Sequence, residues 1–287
     1  MKEWVDYHKN KGFETFFIYS NGESLYNIPE TFEFDIRGKE AQQLLVYQDA
    51  YSKIGAGDTL TVLDDDEYLT MDCSIEELWR QFPVADCLRF SWQVMTDNGL
   101  TQADPNKTIV EQFTEAAPVD CVYNKDLPDG ITENFHTKYS IRKTWKQTRL
   151  GIHNPLIMNG ISVNMLGNFV DGTKPWMKPV WETAFVRHYL TQDTETFCKR
   201  RFNVKDACGN VVADTNKLID RYYNINKRTQ EKDDVFKRYS ENIPGVPVLG
   251  DSSGVQQMGE TTGPESDSGK VTTNDETISK RAGARKK

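Results

Sequence analysis

Several things are scarce in this chain of 287 residues, and each scarcity narrows its class. Only five cysteines are present, Cys73, Cys87, Cys121, Cys198 and Cys208, odd in number and never spaced Cys-x-x-Cys. That excludes a zinc ribbon and argues against a disulfide framework, so they read as free thiols of a reducing compartment, with the cytoplasm as the expected location. Apolar residues make up 37% of the chain, and no uninterrupted apolar run reaches the roughly 18 residues of a spanning helix. Met1-Lys2-Glu3-Trp4 offers neither the apolar stretch nor the cleavage site of a secretory leader. Positive charge is short as well: 35 Lys and Arg against 43 Asp and Glu leave a net charge of -8, which argues against a general nucleic-acid binder. Residues 241–287 lack Phe, Trp, Tyr and Cys altogether, too little apolar surface to offset the entropy of ordering them. The expected organisation is one domain over 1–240 and a disordered tail over 241–287. The basic tip Lys280, Arg281, Arg285, Lys286 and Lys287 is suited to peripheral contact with an anionic membrane surface, although a solvated tail is the plainer reading.

What is present is a rhythm of helical and strand-like segments rich in aromatics. Lys2 to Lys11 reads as a helix closed by Gly12, and Phe13 to Tyr19 as a strand buried on both faces. Gly38 to Ile54 reads as a helix and Thr59 to Leu63 as a short buried strand. Ser74-Ile75-Glu76-Glu77 is a capping box opening a further helix, and Cys87 to Val94 is a strand with Leu88, Phe90, Trp92 and Val94 on one face. A terminal helix is expected within 211–239, with Leu218, Tyr222 and Ile225 at helical spacing. The alternation predicts an α/β sheet that binds ligands at the carboxyl ends of its strands.

The strongest local signal is Asp64-Asp65-Asp66-Glu67, four acids wedged between the strand ending at Leu63 and Tyr68-Leu69. Carboxylates this close repel one another unless a cation or a set of donors compensates, and a hard divalent ion is a natural compensator. In an extended backbone Asp64 and Asp66 would point to the same side. A solvated acidic turn is the bland alternative. An EF-hand loop is a poorer fit because its Gly and terminal Glu are missing at the required offsets.

The stretch Glu3-Trp4-Val5-Asp6-Tyr7-His8, followed by Gly12 to Ser24 with its Phe16-Phe17-Ile18-Tyr19-Ser20-Asn21 core, resembles the opening of glycosyltransferases of the family 2-like and family 92 type. Further matches are the acid run with Tyr68 in place of Phe, Leu88-Arg89-Phe90-Ser91-Trp92 with Asp97-Asn98-Gly99, Lys138-Tyr139-Ser140-Ile141-Arg142 with His153-Asn154-Pro155, and His188-Tyr189 with Phe197 and Lys199. They run in the family's order over about residues 2 to 205. The resemblance implies a GT-A fold, a mixed sheet flanked by helices, and transfer of a sugar from a nucleotide-sugar donor to a glycan or lipid-linked acceptor. Family members usually carry one more buried strand, ending in Lys-Asn-Glu, ahead of the first helix. A segment of that kind is therefore expected upstream of Met1.

On this resemblance Asp64 and Asp66 anchor Mn²⁺ or Mg²⁺ against the donor diphosphate, and a late histidine, His188 or else His153, completes the metal site. Asn21 and Asp65 fall on the donor side, and Lys138 and Arg142 add positive charge at the phosphates. An inverting reaction needs a carboxylate base, for which Asp97 is the first candidate and Glu182 the second. His8 reads as a packed, hydrogen-bonded imidazole, whereas His136 has no legible context. Trp145, Trp176 and Trp181 read as core, although the loop from Trp176 to Pro179 is also a place for acceptor contacts. The main alternative is a non-catalytic carbohydrate-binding or scaffolding relative of the same fold. A nucleotidyltransferase also uses paired carboxylates and metal, but leaves the Tyr-His and His-Tyr motifs unexplained.

Overall fold

The computed structural model describes residues 1–20, 25–37, 43–119, 130–201 and 215–227, with side chains from 218 onward in the last stretch. Asn21, Cys121, Cys208, the part of the terminal helix expected beyond 227 and the tail 241–287 lie outside the described residues. In chain order the elements are α1 (Lys2–Lys9), β1 (Phe16–Ser20), β2 (Thr31–Asp35), α2 (Gln43–Lys53), β3 (Thr59–Val62), β4 (Glu67–Met71), α3 (Ile75–Gln81), β5 (Cys87–Val94), α4 (Ile109–Gln112), β6 (Thr137–Arg142), β7 (Thr148–Leu150), β8 (Pro155–Ile157), β9 (Ser162–Val163), β10 (Ala184–His188), α5 (Thr194–Arg201) and α6 (Thr215–Asn226). No helix among the described residues is long and apolar enough to cross a membrane.

The fold is mixed α/β. The main sheet runs β3-β6-β5-β10-β4, with β9 added to β5. β10 is parallel to β5, and the other pairings along that path are antiparallel. Its two edge strands, β3 and β4, are joined by Leu63 to Asp66 alone. In a flat sheet those edges would stand about 19 Å apart, four spacings of about 4.8 Å. The linker cannot stretch that far, because it contains a tight turn in which the Glu67 N–H donates to the Asp64 carbonyl at 3.1 Å. The sheet is therefore curled, and the acid turn lies across its opening.

β5 is buried along nearly its whole length because it has strands on both sides and side chains packed on both faces. Leu88, Phe90 and Trp92 join Leu78 and Trp79 of α3 in one core cluster, while Cys87 joins Tyr139, Ile141, Tyr47 and Tyr51 in another. The polar residues between them are largely paired: Arg89 donates to Thr137 Oγ1 and the Lys174 carbonyl, leaving Nη1 without a partner, and Ser91 Oγ accepts from the Val180 N–H. Both halves of the capping box form at Ser74 and Glu77. Gly12 (φ +85°) adopts a left-handed conformation that a side chain rarely takes, and a Cβ there would come within 3.1 Å of Ser74 Cβ.

The first helix shows how an edge strand is covered. Residues 67, 69 and 71 of β4 turn backbone groups away from β10, and α1 and the turn after it meet them in step: Trp4 Nε1 donates to the Glu67 carbonyl, the Leu69 N–H donates to His8 Nε2, and Lys11 Nζ donates to the Met71 carbonyl. Side chains three or four apart on a helix thus serve alternate residues of a strand, which leaves this edge no template for another chain. His8 is the packed, hydrogen-bonded imidazole expected.

Two strands differ from expectation. Phe13 to Tyr19 is not buried on both faces: β1 alternates, with Phe16 and Ile18 packed on Val5 of α1, while Phe17 and Tyr19 stack on Phe32 and Phe34 of β2 at 5.7 and 4.8 Å. The reason is placement, since β1 pairs with β2 in a separate parallel ribbon. Thr59 to Leu63 is likewise not a buried strand; β3 is the sheet edge, and only Val62 is fully buried.

The His8 geometry sets a pH dependence. Its Nδ1 lies 2.8 Å from the Trp4 carbonyl and its Nε2 accepts from Leu69, so the neutral Nδ1–H tautomer is bound at both nitrogens. Burial pushes its pKa down to about 4. The stabilisation is fully present above the unfolded pKa of about 6.5 and is lost as pH falls toward 4, amounting to about 3 kcal/mol for this residue. Urea unfolding between pH 7 and pH 4 is expected to show the loss, and His8→Gln to reduce its slope by about one proton.

Candidate functional site

The carboxyl ends of β3, β5 and β10 come together at the acid turn: Tyr189 N–H donates to the Asp66 carbonyl, and Met95 N–H donates to the His188 carbonyl. Beside that turn opens a cleft of about 2130 Å³. Every residue of β1 and of β3 lines it, which successive residues of a strand do only when the strand presents an edge. Among the described residues β1 is paired only with β2 and β3 only with β6.

The acid run divides at the turn. Asp64 lines the cleft at its sheet end, where its half-exposed carboxylate accepts from Gln43 Nε2 (3.0 Å) and Tyr47 hydroxyl (3.2 Å) and pairs with the buried Lys138 Nζ at 2.9 Å. Lys138 Nζ is also 3.3 Å from Glu67, and the side chains of Lys138 and Glu67 are both fully buried. Burial works against the charge on Lys138, but Asp64 and Glu67 outweigh it and hold its pKa well above the ordinary lysine value. Asp65 and Asp66 face the cleft. Asp65 pairs with Arg200 at 2.8 Å, and Asp66 Oδ2 lies 3.3 Å from both Arg200 and Arg201. Asp66 Oδ1 stands 3.5 Å from His188 Nε2. Burial disfavours the Asp66 anion, yet His188, Arg200 and Arg201 outweigh it, so its carboxyl is held well below the usual range.

His188 is 4% exposed, rests on the Trp92 ring at 4.1 Å and leaves Nδ1 without a hydrogen-bond partner. His136 and His153 pack against the same indole. His153 Nδ1 is 3.2 Å from the Thr137 carbonyl, and burial pushes its pKa down to about 2, so it is a neutral ring of the cleft wall.

Asp66 and His188 therefore form a carboxylate–imidazole pair, a donor set that suits Mn²⁺ or Mg²⁺ with the rest of its shell left to water and phosphate oxygens. No third His, Cys, Asp or Glu among the described residues completes a metal-holding group.

The other expected site residues are placed as follows. Lys138 does not reach the cleft; it is spent on Asp64 and Glu67 inside the curl. Asp64 lines the cleft with Asp65 and Asp66, but its carboxylate is engaged by Lys138, Gln43 and Tyr47. Arg142 lines the cleft opposite Thr59, at the far end of β3 from the acid turn, with its guanidinium over Trp79 at 4.7 Å. Asp97 is outside the cleft: it is buried, accepts from Tyr222 hydroxyl and the Gly99 N–H, and borders a separate cavity of about 230 Å³. Glu182 is exposed and precedes β10, whereas His188 ends that strand. Trp145, expected in the core, is 92% exposed on the loop after β6; Trp181 is half-buried and donates to the Trp92 carbonyl. Arg200, Arg201, Arg221 and Trp92 were not identified as site residues from sequence, although Lys199-Arg200-Arg201 is a basic run that could have been matched with the acid run.

No protein-family model matches the chain, and no curated protein matches its sequence.

Lys138→Ala would leave Glu67 buried without its cation, and is expected to cost about 3–5 kcal/mol in urea unfolding. Arg142→Ala, which removes a half-buried contact with Trp79, should cost about 1 kcal/mol or less.

Proposed function

We propose that the chain is a metal-dependent glycosyltransferase of the GT-A type, moving a sugar from a nucleotide-sugar donor to a glycan or lipid-linked acceptor. The observation that carries this reading is the meeting of Asp66 and His188 on the wall of a large cleft, at the converging carboxyl ends of three strands. Asp66 and His188 would hold Mn²⁺ or Mg²⁺, which when bound supplies positive charge against the charge developing on the leaving diphosphate. The protein's share is positional. Lys138 pairs with Asp64 and Glu67, the residues on either side of Asp65 and Asp66, and so holds both ends of the acid turn. Trp92 sets the plane of His188. Neither Asp97 nor Glu182 is assigned the role of base, since neither lines the cleft.

A non-catalytic carbohydrate-binding relative is the second reading. It draws support from the acid run itself, whose carboxylates already have protein cations in Lys138, Arg200 and Arg201. Calorimetry separates the two. Uridine or guanosine diphosphate is expected to bind the wild-type chain only with Mn²⁺, and Asp66→Asn to weaken that binding at least about tenfold while near-UV circular dichroism stays unchanged. Metal-independent binding, or undiminished binding by the variant, would end the metal-anchor assignment.

A further inference from the structure

The cleft-facing side of the acid turn is matched charge for charge by arginines. Arg200 and Arg201, in the last turn of α5, hold Asp65 and Asp66, and Arg221 of α6 holds the buried Glu133 at 2.8 Å. Three carboxylates thus face three guanidiniums, and all three arginines line the cleft. This balance leaves polar atoms unused, Glu133 Oε1 among them. Arg221 Nε is buried without a hydrogen-bond partner, and so is His188 Nδ1 in a residue only 4% exposed. Buried polar groups left this way are costly unless a ligand or ion uses them.

A balanced cluster restricts what can enter. A cation arriving alone at Asp66 Oδ1 meets a carboxylate whose charge two guanidiniums on Oδ2 already offset, and they repel it. An anion arriving alone must take the guanidiniums from Asp65 and Asp66 and leave those carboxylates uncompensated at a site where Asp66 is 3% exposed. A cation and an anion arriving together keep the balance, because the cation takes over the carboxylate as the guanidiniums turn to the anion. Guanidinium forks suit phosphate oxygens as well as carboxylates, so the exchange replaces one charge-assisted hydrogen bond with another.

We propose that Arg200 and Arg201 exchange partners on ligand binding, serving as counterions of Asp65 and Asp66 in the empty cleft and as the seat of the ligand's diphosphate once a divalent cation occupies Asp66. Arg221, held by Glu133, is the third member of that seat. This rests on the metal-dependent reading above and gives the cleft a coupling rule: metal and diphosphate each raise the other's affinity, and the two arginines carry the coupling.

The experiment is calorimetry on the full chain with two probes, Mn²⁺ alone and uridine diphosphate in saturating Mn²⁺, for the wild type and for Arg200→Gln with Arg201→Gln. The neutral pair no longer competes for Asp66, so Mn²⁺ alone should bind several-fold more tightly, while the diphosphate should bind about tenfold or more weakly. Effects of opposite sign are the signature, since a general loss of structure weakens both. Arg200→Lys with Arg201→Lys keeps the charge and should restore most of the wild-type Mn²⁺ affinity but only part of the diphosphate affinity. Both affinities falling together, or neither changing, would overturn the exchange while leaving the metal-anchor reading in place. A wild-type chain that binds neither probe would overturn both.

Discussion

One buried lysine holds the curled sheet closed at its mouth. Lys138 stands on β6, between β3 and β5, and its ammonium reaches the acid turn that links the two edge strands. Without that cation Glu67, fully buried and already pushed toward its neutral form by burial, would have no partner for its charge, and Asp64 would lose its nearest counterion. With it, the turn is fixed from below. Asp65 and Asp66 then have only the cleft side to face, which is where α5 brings Arg200 and Arg201. The four acids are therefore divided by their partners: Asp64 and Glu67 share Lys138, and Asp65 and Asp66 share Arg200 and Arg201.

Much of the scaffold was legible in the residues because it depends on short-range chemistry. The capping box at Ser74 and Glu77, the turn at Gly12 and the buried run Cys87 to Val94 each depend on neighbours within a few positions, and each is found where the sequence places it. The acid run was legible as a charged cluster in need of compensation for the same reason. Its division was not, because the direction each carboxylate takes is set by partners 74 and 135 residues away, Lys138 for Asp64 and Arg200 for Asp65. Lys138 itself looks like an ordinary surface charge in Lys138-Tyr139-Ser140-Ile141-Arg142; only the curl puts it inside.

The misplaced residues have a common cause. Asp97 follows a buried strand in a polar loop, which is a fair description of many bases, but Tyr222 and the Gly99 amide take its carboxylate, so it anchors α6 instead. Glu182 lies at the wrong end of a strand whose direction could not be read from a five-residue segment. For β1 the pattern of apolar residues was right and the neighbourhood was not: an unbroken aromatic run suggests burial on both faces, yet stacking on Phe32 and Phe34 absorbs the outer rings. Local pattern gives an element's type, and its surroundings decide which of its side chains do chemistry.

The pairing of the acid and basic runs also bears on descent. A substitution at Asp65 or Asp66 leaves a guanidinium without a partner, and one at Arg200 or Arg201 leaves a carboxylate exposed to its neighbours, so either change penalises drift until the opposite run changes too. Over generations the two tripeptides should vary together, along with the histidine twelve positions before Arg200, while the loops between them diverge freely. Distant kin that have lost all other likeness to this chain should still carry an acidic triplet after a short strand and, well over a hundred positions later, a histidine followed by a basic pair.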